Sequence, residues 1–378
     1  MAAVEEEEQR WSALEVYFDS NIEVYVESAV ALIGRGRLRE GSQAIVAIKS
    51  ASLDPRISHQ PHDIGKELRL LKTLSCVNVV EVLGSLYEQP ARTLHFWMPL
   101  IPHHLSDILN SPMFSPPTDF IVVFKSLLYQ MLSALAYIHA HGVAHRDMKP
   151  RNILITDEGL VKMIDFGVSW TEAVDEHDLW PEPRGHMCFD VATGYGVSAT
   201  MYRGATLWTR DYDAQAIDLW AMGVLTAHCF TPLLRVPEEE DSDTAEMPAK
   251  SPFIIPKGFS PGQEGVEWTR DELYDGDRGQ IGLAWSIFKV HGTPNEQSWP
   301  SFGDLPDGQK VKFVDVPPPD AHHCFDLVSK LLVYPPESRL RAQDALDHPL
   351  CTQGHRPLLP VGYPAGGPEC EGERADGT

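Results

Sequence analysis

The chain has 378 residues, 43% of them hydrophobic, and its 54 acidic against 31 basic side chains leave a formal charge of −23. That balance disfavours nucleic acid and anionic membrane as direct partners and favours basic protein surfaces, with simple solubility as the plainer alternative. No uninterrupted apolar run reaches the roughly 18 residues of a membrane span, Glu5–Glu8 argue against a basic leader, and the scattered cysteines (Cys76, Cys188, Cys229, Cys324, Cys351, Cys370) suit a reduced cytoplasmic or nuclear compartment.

In chain order, residues 1–20 read as an acidic tail running into the fold. From Ile22 to Leu38 and from Ala44 to Lys49, apolar and β-branched residues predict strands, with Gly34, Gly36 and Gly41 supplying turns. Residues 61–74 predict a helix, since Ile64, Leu68, Leu71 and Leu74 share one face. A strand is expected to end near Met98, a long amphipathic helix to run from Phe120 to His141, and another apolar helix to cover 214–230. Residues 236–252, with Glu238-Glu239-Glu240-Asp241, read as a mobile surface insertion, and 352–378 are Gly/Pro-rich and expected to lack fixed structure.

The most specific stretch is His145-Arg146-Asp147-Met148-Lys149-Pro150-Arg151-Asn152. Phosphoryl transfer asks a protein mainly for positioning and charge neutralisation. Asp147 suits acceptance of a proton from a substrate hydroxyl, Asn152 the holding of magnesium, and Lys149 contact with the transferring phosphate, with a preference for Ser/Thr acceptors. Thirteen residues after Asn152 comes Asp165-Phe166-Gly167, beyond a turn and a strand, with Asp165 placed for a second magnesium contact and Phe166 beneath the helix carrying Glu67. Upstream, Val46-Ala47-Ile48-Lys49 ends a predicted strand, and a Lys49–Glu67 ion pair would aim the ammonium at nucleotide phosphates. Counting from these anchors makes Met98 the gatekeeper and Pro99-Leu100-Ile101 the hinge. Pro99 offers its carbonyl to adenine, Ile101 its N–H, and Ala47 part of the roof. ATP and Mg2+ are the expected cofactors.

These motifs resemble eukaryotic protein kinases over about residues 20–351. The resemblance implies an α+β bilobal fold, with a small mainly antiparallel β lobe at 21–100 and a larger mainly helical lobe at 101–351 that carries an insertion at 232–272. Within the family the chain is similar to the cyclin-dependent branch (CMGC). The matching stretches are Leu273-Tyr274-Asp275-Gly276-Asp277, Ile287 to Glu296, Trp299-Pro300, Leu331 to Pro335 with Arg339, and His348-Pro349. Asp218 matches the central-helix aspartate that ties down the catalytic loop.

Four departures qualify the match. Gly36 lies only 13 residues before Lys49, whereas the strand, turn and second strand between a phosphate loop and that lysine need about 17. The phosphate loop therefore falls near Val24–Ala29, without glycine. Gly204-Ala205-Thr206 stand where Ala-Pro-Glu closes the activation segment, so Arg339 lacks its usual glutamate. Tyr202-Arg203 are kept, but Ala199 replaces the platform threonine, with Ser198 or Thr200 as substitutes. The cyclin-binding helix keeps Pro61 and Glu67 but has Gly65 for a bulky isoleucine. Together these features resemble the single-subunit CDK-activating kinases of fungi. That likeness implies a monomer working without cyclin on the activation-loop threonine of a cyclin-dependent kinase. The alternatives are a cyclin-dependent kinase needing a regulatory subunit and a catalytically silent scaffold. Thr171, Thr193, Ser198 and Thr200 are candidate regulatory phosphosites near Arg146. Glu172, Asp175, Glu176 and Asp178 already supply carboxylates there and predict activity without phosphorylation, or else merely solvate a long loop. His322-His323-Cys324 and His186 with Cys188 lack structural-zinc spacing, and Trp299 reads as core.

Overall fold

Five strands form an antiparallel sheet in the order β1-β2-β3-β5-β4: β1 (Glu23–Glu27), β2 (Leu32–Arg37), β3 (Ile45–Ser52), β4 (Gly84–Glu88) and β5 (Thr93–Pro99). The computed structural model describes residues 11–19, 22–41, 43–114, 119–172, 175–180, 213–236, 267–275, 279–300, 302–304, 314–317, 326–354 and 357–364. Side chains along a strand alternate between faces, and β3 uses both. Val46 and Ile48 pack with Trp11, Leu14, Phe18 and Trp97 on one side, while Ala47 and Ala51 meet the main core on the other. Lys49 shares the second face.

Two sequence expectations change here. The stretch expected as tail is packed from Trp11 onward, because Trp11, Leu14 and Phe18 lie buried against the outer face of the sheet. The glutamates that suggested a tail, Glu5–Glu8, lie outside the described residues. Gly34 and Gly36 are not turn residues but sit inside β2. A Cβ on Gly34 would lie 2.6 Å from Ile22 Cγ2 and 2.9 Å from Trp11 Cζ2. Their smallness therefore makes room for the N-terminal segment. The true β1–β2 turn is Ser28–Ala31, where the Ser28 hydroxyl donates to the Ala31 carbonyl (2.9 Å) and accepts from its N–H (3.2 Å). A serine-centred turn of this kind closes without glycine.

Helix α1 (Ile64–Thr73) begins three residues later than the apolar spacing predicts. The Asp63 side chain caps it by accepting from the Lys66 N–H at 2.9 Å. Below the sheet, a short helix α2 (Leu105–Leu109) leads to α3 (Phe120–Ala140), the axis of the large lobe. By length and hydropathy α3 could cross a membrane, yet 78% of its most apolar window is buried inside the protein. Helices α4 (Ala214–His228), α5 (Gly279–His291) and α6 (Asp326–Leu331) complete this part of the lobe, and Trp299 stacks on Tyr334 at 5.6 Å within its core.

Two small ribbons frame the loops between them. In one, β6 (His103–His104), β8 (Ile153–Ile155) and β9 (Val161–Met163) form a three-stranded sheet. In the other, β7 (Val143–Ala144) pairs with β10 (Trp170–Thr171). A further ribbon, β11 (Leu233–Arg235) with β12 (Trp268–Arg270), closes the ends of the expected insertion. Buried Arg270 fastens that ribbon by donating to the carbonyls of Leu109, Phe114 and Thr231. Residues 237–266 lie outside the described residues. The expected structureless C-terminus also departs in part. The Leu358 N–H donates to Ser126 Oγ at 2.7 Å, and the Tyr363 hydroxyl donates to Asn78 Oδ1 at 2.5 Å.

Candidate active site

The loop at 145–152 is held by α4. Asp218, fully buried, accepts the backbone N–H groups of His145 (2.8 Å) and Arg146 (2.7 Å) and pairs with His139 Nε2 at 2.9 Å. Arg146 and Asp165 both have φ +66°, a left-handed conformation that non-glycine residues adopt mainly where the surroundings enforce it. Asp218 is that enforcement for Arg146. Next in the loop, Asp147 Oδ2 receives Lys149 Nζ at 2.7 Å and Asn152 Nδ2 at 2.9 Å. Asn152 Nδ2 also donates to the Asp147 carbonyl at 2.8 Å, so the amide is pinned and its oxygen is the polar atom left for a cation.

The second half of the site comes from the small lobe. Lys49 Nζ lies 2.7 Å from both Glu67 Oε2 and Asp165 Oδ1. Glu67 is 1% exposed. Burial pushes its carboxyl up to about 7 in spite of Lys49. Burial likewise opposes the charge on Lys49, but Asp165 and Glu67 outweigh it and raise the ammonium above its ordinary range. At Asp165 burial is again overcome, by Lys49 and then His62, and the carboxyl is held well below the usual carboxylate range. Phe166 is buried against the His145 ring at 4.7 Å, in the same core as Leu68 and Leu71 of α1. The Gly167 carbonyl accepts from the Asp63 N–H at 2.8 Å, which joins this segment to the start of α1.

The residues expected on the adenine side come from β3, β5 and the stretch after β5. Ala47 and Met98 are register partners across β3 and β5, Pro99 ends β5, and Met98 and Ile101 are buried at the passage between lobes. The Ser28–Ala31 turn, Lys49, His62, Glu67 and Gly167 line a cavity of about 200 Å³. Among the described residues no cluster of three His, Cys, Asp or Glu side chains forms a metal cage. A carboxylate (Asp165) and an amide oxygen (Asn152) are donors that fit magnesium, which takes one or two protein ligands and completes its shell with phosphate and water.

Sequence reasoning missed four residues here. Asp63 caps α1, meets Gly167 through its N–H, and accepts from the Leu179 N–H through Oδ2 at 2.6 Å. His62 lines the cavity, and burial pushes its imidazole down to about 4. Lys66 and Arg69 of α1 meet Asp178 and Asp175. An Asp directly before an apolar-periodic run was the available signal for the first. Thr193, Ala199 and the segment 198–206, with His186, Cys188 and 322–324, lie outside the described residues. Arg339 donates to the carbonyls of Val333, Ala216 and Tyr334 and covers the Trp220 ring at 4.9 Å.

Comparison with known proteins agrees with this geometry. The model for "Protein kinase domain" matches residues 35–351. Serine/threonine-protein kinase ppk23 of Schizosaccharomyces pombe is 25% identical over 362 residues, covering 93% of this chain and 77% of that protein. Cyclin-dependent kinase 11 of Dictyostelium discoideum is 26% identical over 336 residues, covering 85% and 77%. Among solved structures, the yeast RNA Pol II CTD kinase CTDK-1 complex contains a chain that superposes with a TM-score of 0.63 at 19% identity, over 91% of this chain and 96% of that one.

Proposed function

The chain belongs to the protein kinase family, as a CDK-like serine/threonine kinase, and from that premise we propose that it is catalytically active and acts on another kinase. The observation that carries activity is the convergence of Lys49, Glu67 and Asp165 within 2.7 Å contacts, beside a loop in which Asn152 and Lys149 both reach Asp147. A silent scaffold has no use for so many charges held partly out of water, where each costs solvation unless a function offsets it.

ATP with magnesium, when bound, supplies the phosphoryl group and the cation that neutralises its charge. The protein's own residues do the rest. Asp147, oriented by Lys149 and Asn152, accepts the proton of the attacking hydroxyl. Lys149 offers positive charge where the phosphoryl group passes, and Lys49, steadied by Glu67, holds the donor phosphates. Asp165 and Asn152 are the residues that would hold the metal. Met98, Pro99 and Ile101, under Ala47, seat the base. The Ser28–Ala31 turn closes over the phosphate end with side chains rather than glycines.

The proposed substrate is the activation-loop threonine of a cyclin-dependent kinase, supported by the glycine-free phosphate turn and by Gly65. A Cβ at Gly65 would lie 3.2 Å from Leu53 Cδ2 and 3.3 Å from Arg69 Nη1, so this helix offers no bulky side chain to a cyclin there. Transfer of labelled phosphate from ATP, lost by about 10²–10⁴ in Asp147→Asn, tests the enzyme. A cyclin-free cyclin-dependent kinase with its activation-loop Thr replaced by Ala tests the substrate, since labelling that persists in the mutant defeats the proposal. The second reading, a kinase that needs a regulatory subunit, is favoured by the name of the Dictyostelium relative. Full turnover by the isolated chain removes it.

A further inference from the structure

Beyond Gly167 the chain crosses back over α1 and is fastened to it. Asp178, with a side chain 4% exposed, meets Arg69 Nη2 at 2.5 Å and Lys66 Nζ at 3.0 Å, and Asp175 meets Arg69 Nε at 3.0 Å. The Leu179 N–H donates to Asp63 Oδ2, and the Trp180 indole donates to the His62 carbonyl at 3.1 Å. Lys66 and Arg69 are three residues apart and therefore neighbours on the helix surface. Glu67 leaves the helix in another direction, toward Lys49. Among the described residues, two cations on the helix meet two carboxylates on the segment, so their charges balance. Gly65 contributes by its size, because the Arg69 guanidinium passes within 3.3 Å of where its Cβ would stand.

We propose that Asp178, seconded by Asp175, is a positioning residue for phosphoryl transfer: it holds α1 through Lys66 and Arg69 in the rotation that keeps Glu67 on Lys49. The inference rests on the protein-kinase reading and adds to it a built-in replacement for an activating phosphate or a second subunit. One buried carboxylate shared by two cations outweighs a surface pair, since solvent screens it less. A helix turned by a few tens of degrees would carry Glu67 away from Lys49, which couples the junction to catalysis at a distance.

The test uses the full chain, the labelled-ATP assay and three variants: Asp178→Asn, Arg69→Gln and the double. Each single variant is expected to lower kcat about tenfold, with KM for ATP changed far less, a coupling of ordinary size. The double is expected to be no worse than the worse single, because both break one junction. Phosphatase-treated wild type is expected to keep its turnover. Folded single variants with kcat within twofold of wild type overturn the proposal, as does loss of turnover on phosphatase treatment. A latch that only fastened the segment would move Tm and leave kcat in place. If Asp178→Asn does not fold, Arg69→Gln, at a partly exposed position, decides by the same criterion. Wild type no more active than Asp147→Asn overturns the kinase reading itself, a result distinct from each of these.

Discussion

Glu67 is enclosed in protein while its partner Lys49 also faces Asp165, so the two carboxylates compete for one ammonium. Burial places the Glu67 carboxyl at about 7, above its ordinary 4.5, so the proton stays on up to neutral pH and the ion pair forms fully only above it. The activity consequence has a definite sign. kcat/KM should rise as pH increases through about 7, and Glu67→Gln should be slow at every pH and lack that limb. A pH profile of both enzymes checks this, and a wild-type profile flat from 6 to 8 refutes it. Gly34 makes a second residue-scale prediction. Its missing Cβ is the space filled by Ile22 and Trp11, so Gly34→Ala should overpack that satellite core and cost about 1–3 kcal/mol in chemical denaturation. A turn residue, as the sequence alone suggests, would lose almost nothing here, because β2 is extended at this position.

Among the elements, the loop after α1 joins the lobes. The Met163 N–H donates to the Asn78 carbonyl at 2.8 Å, and the Val80 N–H donates to the Met163 carbonyl at 3.0 Å. Asn78 Nδ2 reaches the Val161 carbonyl and Gln130, and the C-terminal Tyr363 hydroxyl caps its remaining oxygen. Tyr363→Phe leaves a buried acceptor short of a donor and should cost about 1–3 kcal/mol, read as a lower urea midpoint with an unchanged slope. An unchanged midpoint would mean that the tail is not held there in solution. Neither this strap nor the N-terminal segment was legible beforehand, for physical reasons. Trp11, Leu14 and Phe18 carry a helical spacing, but the neighbouring glutamates gave the stretch the composition of a tail. Tyr363 sits among Gly and Pro, where local propensity says nothing about a distant Asn78. The residues expected to serve phosphoryl transfer could be named beforehand because that chemistry asks for particular side chains, and one short loop carries Asp147, Lys149 and Asn152 together. Strand and helix positions followed from burial on one face. The roles of Gly34 and Gly36 did not, because glycine serves a turn and a tight packing contact equally well.

At the scale of the whole molecule, three of the enclosed histidines among the described residues resist protonation in the fold. Burial pushes His62, His228 and His291 each down to about 4 from an ordinary 6.5. The folded chain therefore keeps them neutral where the unfolded chain takes up protons. Their contribution to stability is present above pH 6.5 and is lost as pH falls toward 4. Glu67 works in the opposite sense over much of that window, since it is protonated in the fold before it would be in the open chain, and it offsets one of the three. The large acidic excess also relaxes as carboxylates take up protons, so a simple Tm profile mixes several effects. A single site separates them. His291 Nε2 meets the Tyr274 hydroxyl inside the cluster formed with Trp220 and Tyr334, and Gln can keep a hydrogen bond there without titrating. His291→Gln should be the less stable protein at pH 7 and should gain on wild type by about 2 kcal/mol between pH 6.5 and 5, at roughly 1.4 kcal/mol per pH unit. A stability difference that stays constant across that range would mean that the imidazole takes up its proton inside the fold as readily as outside.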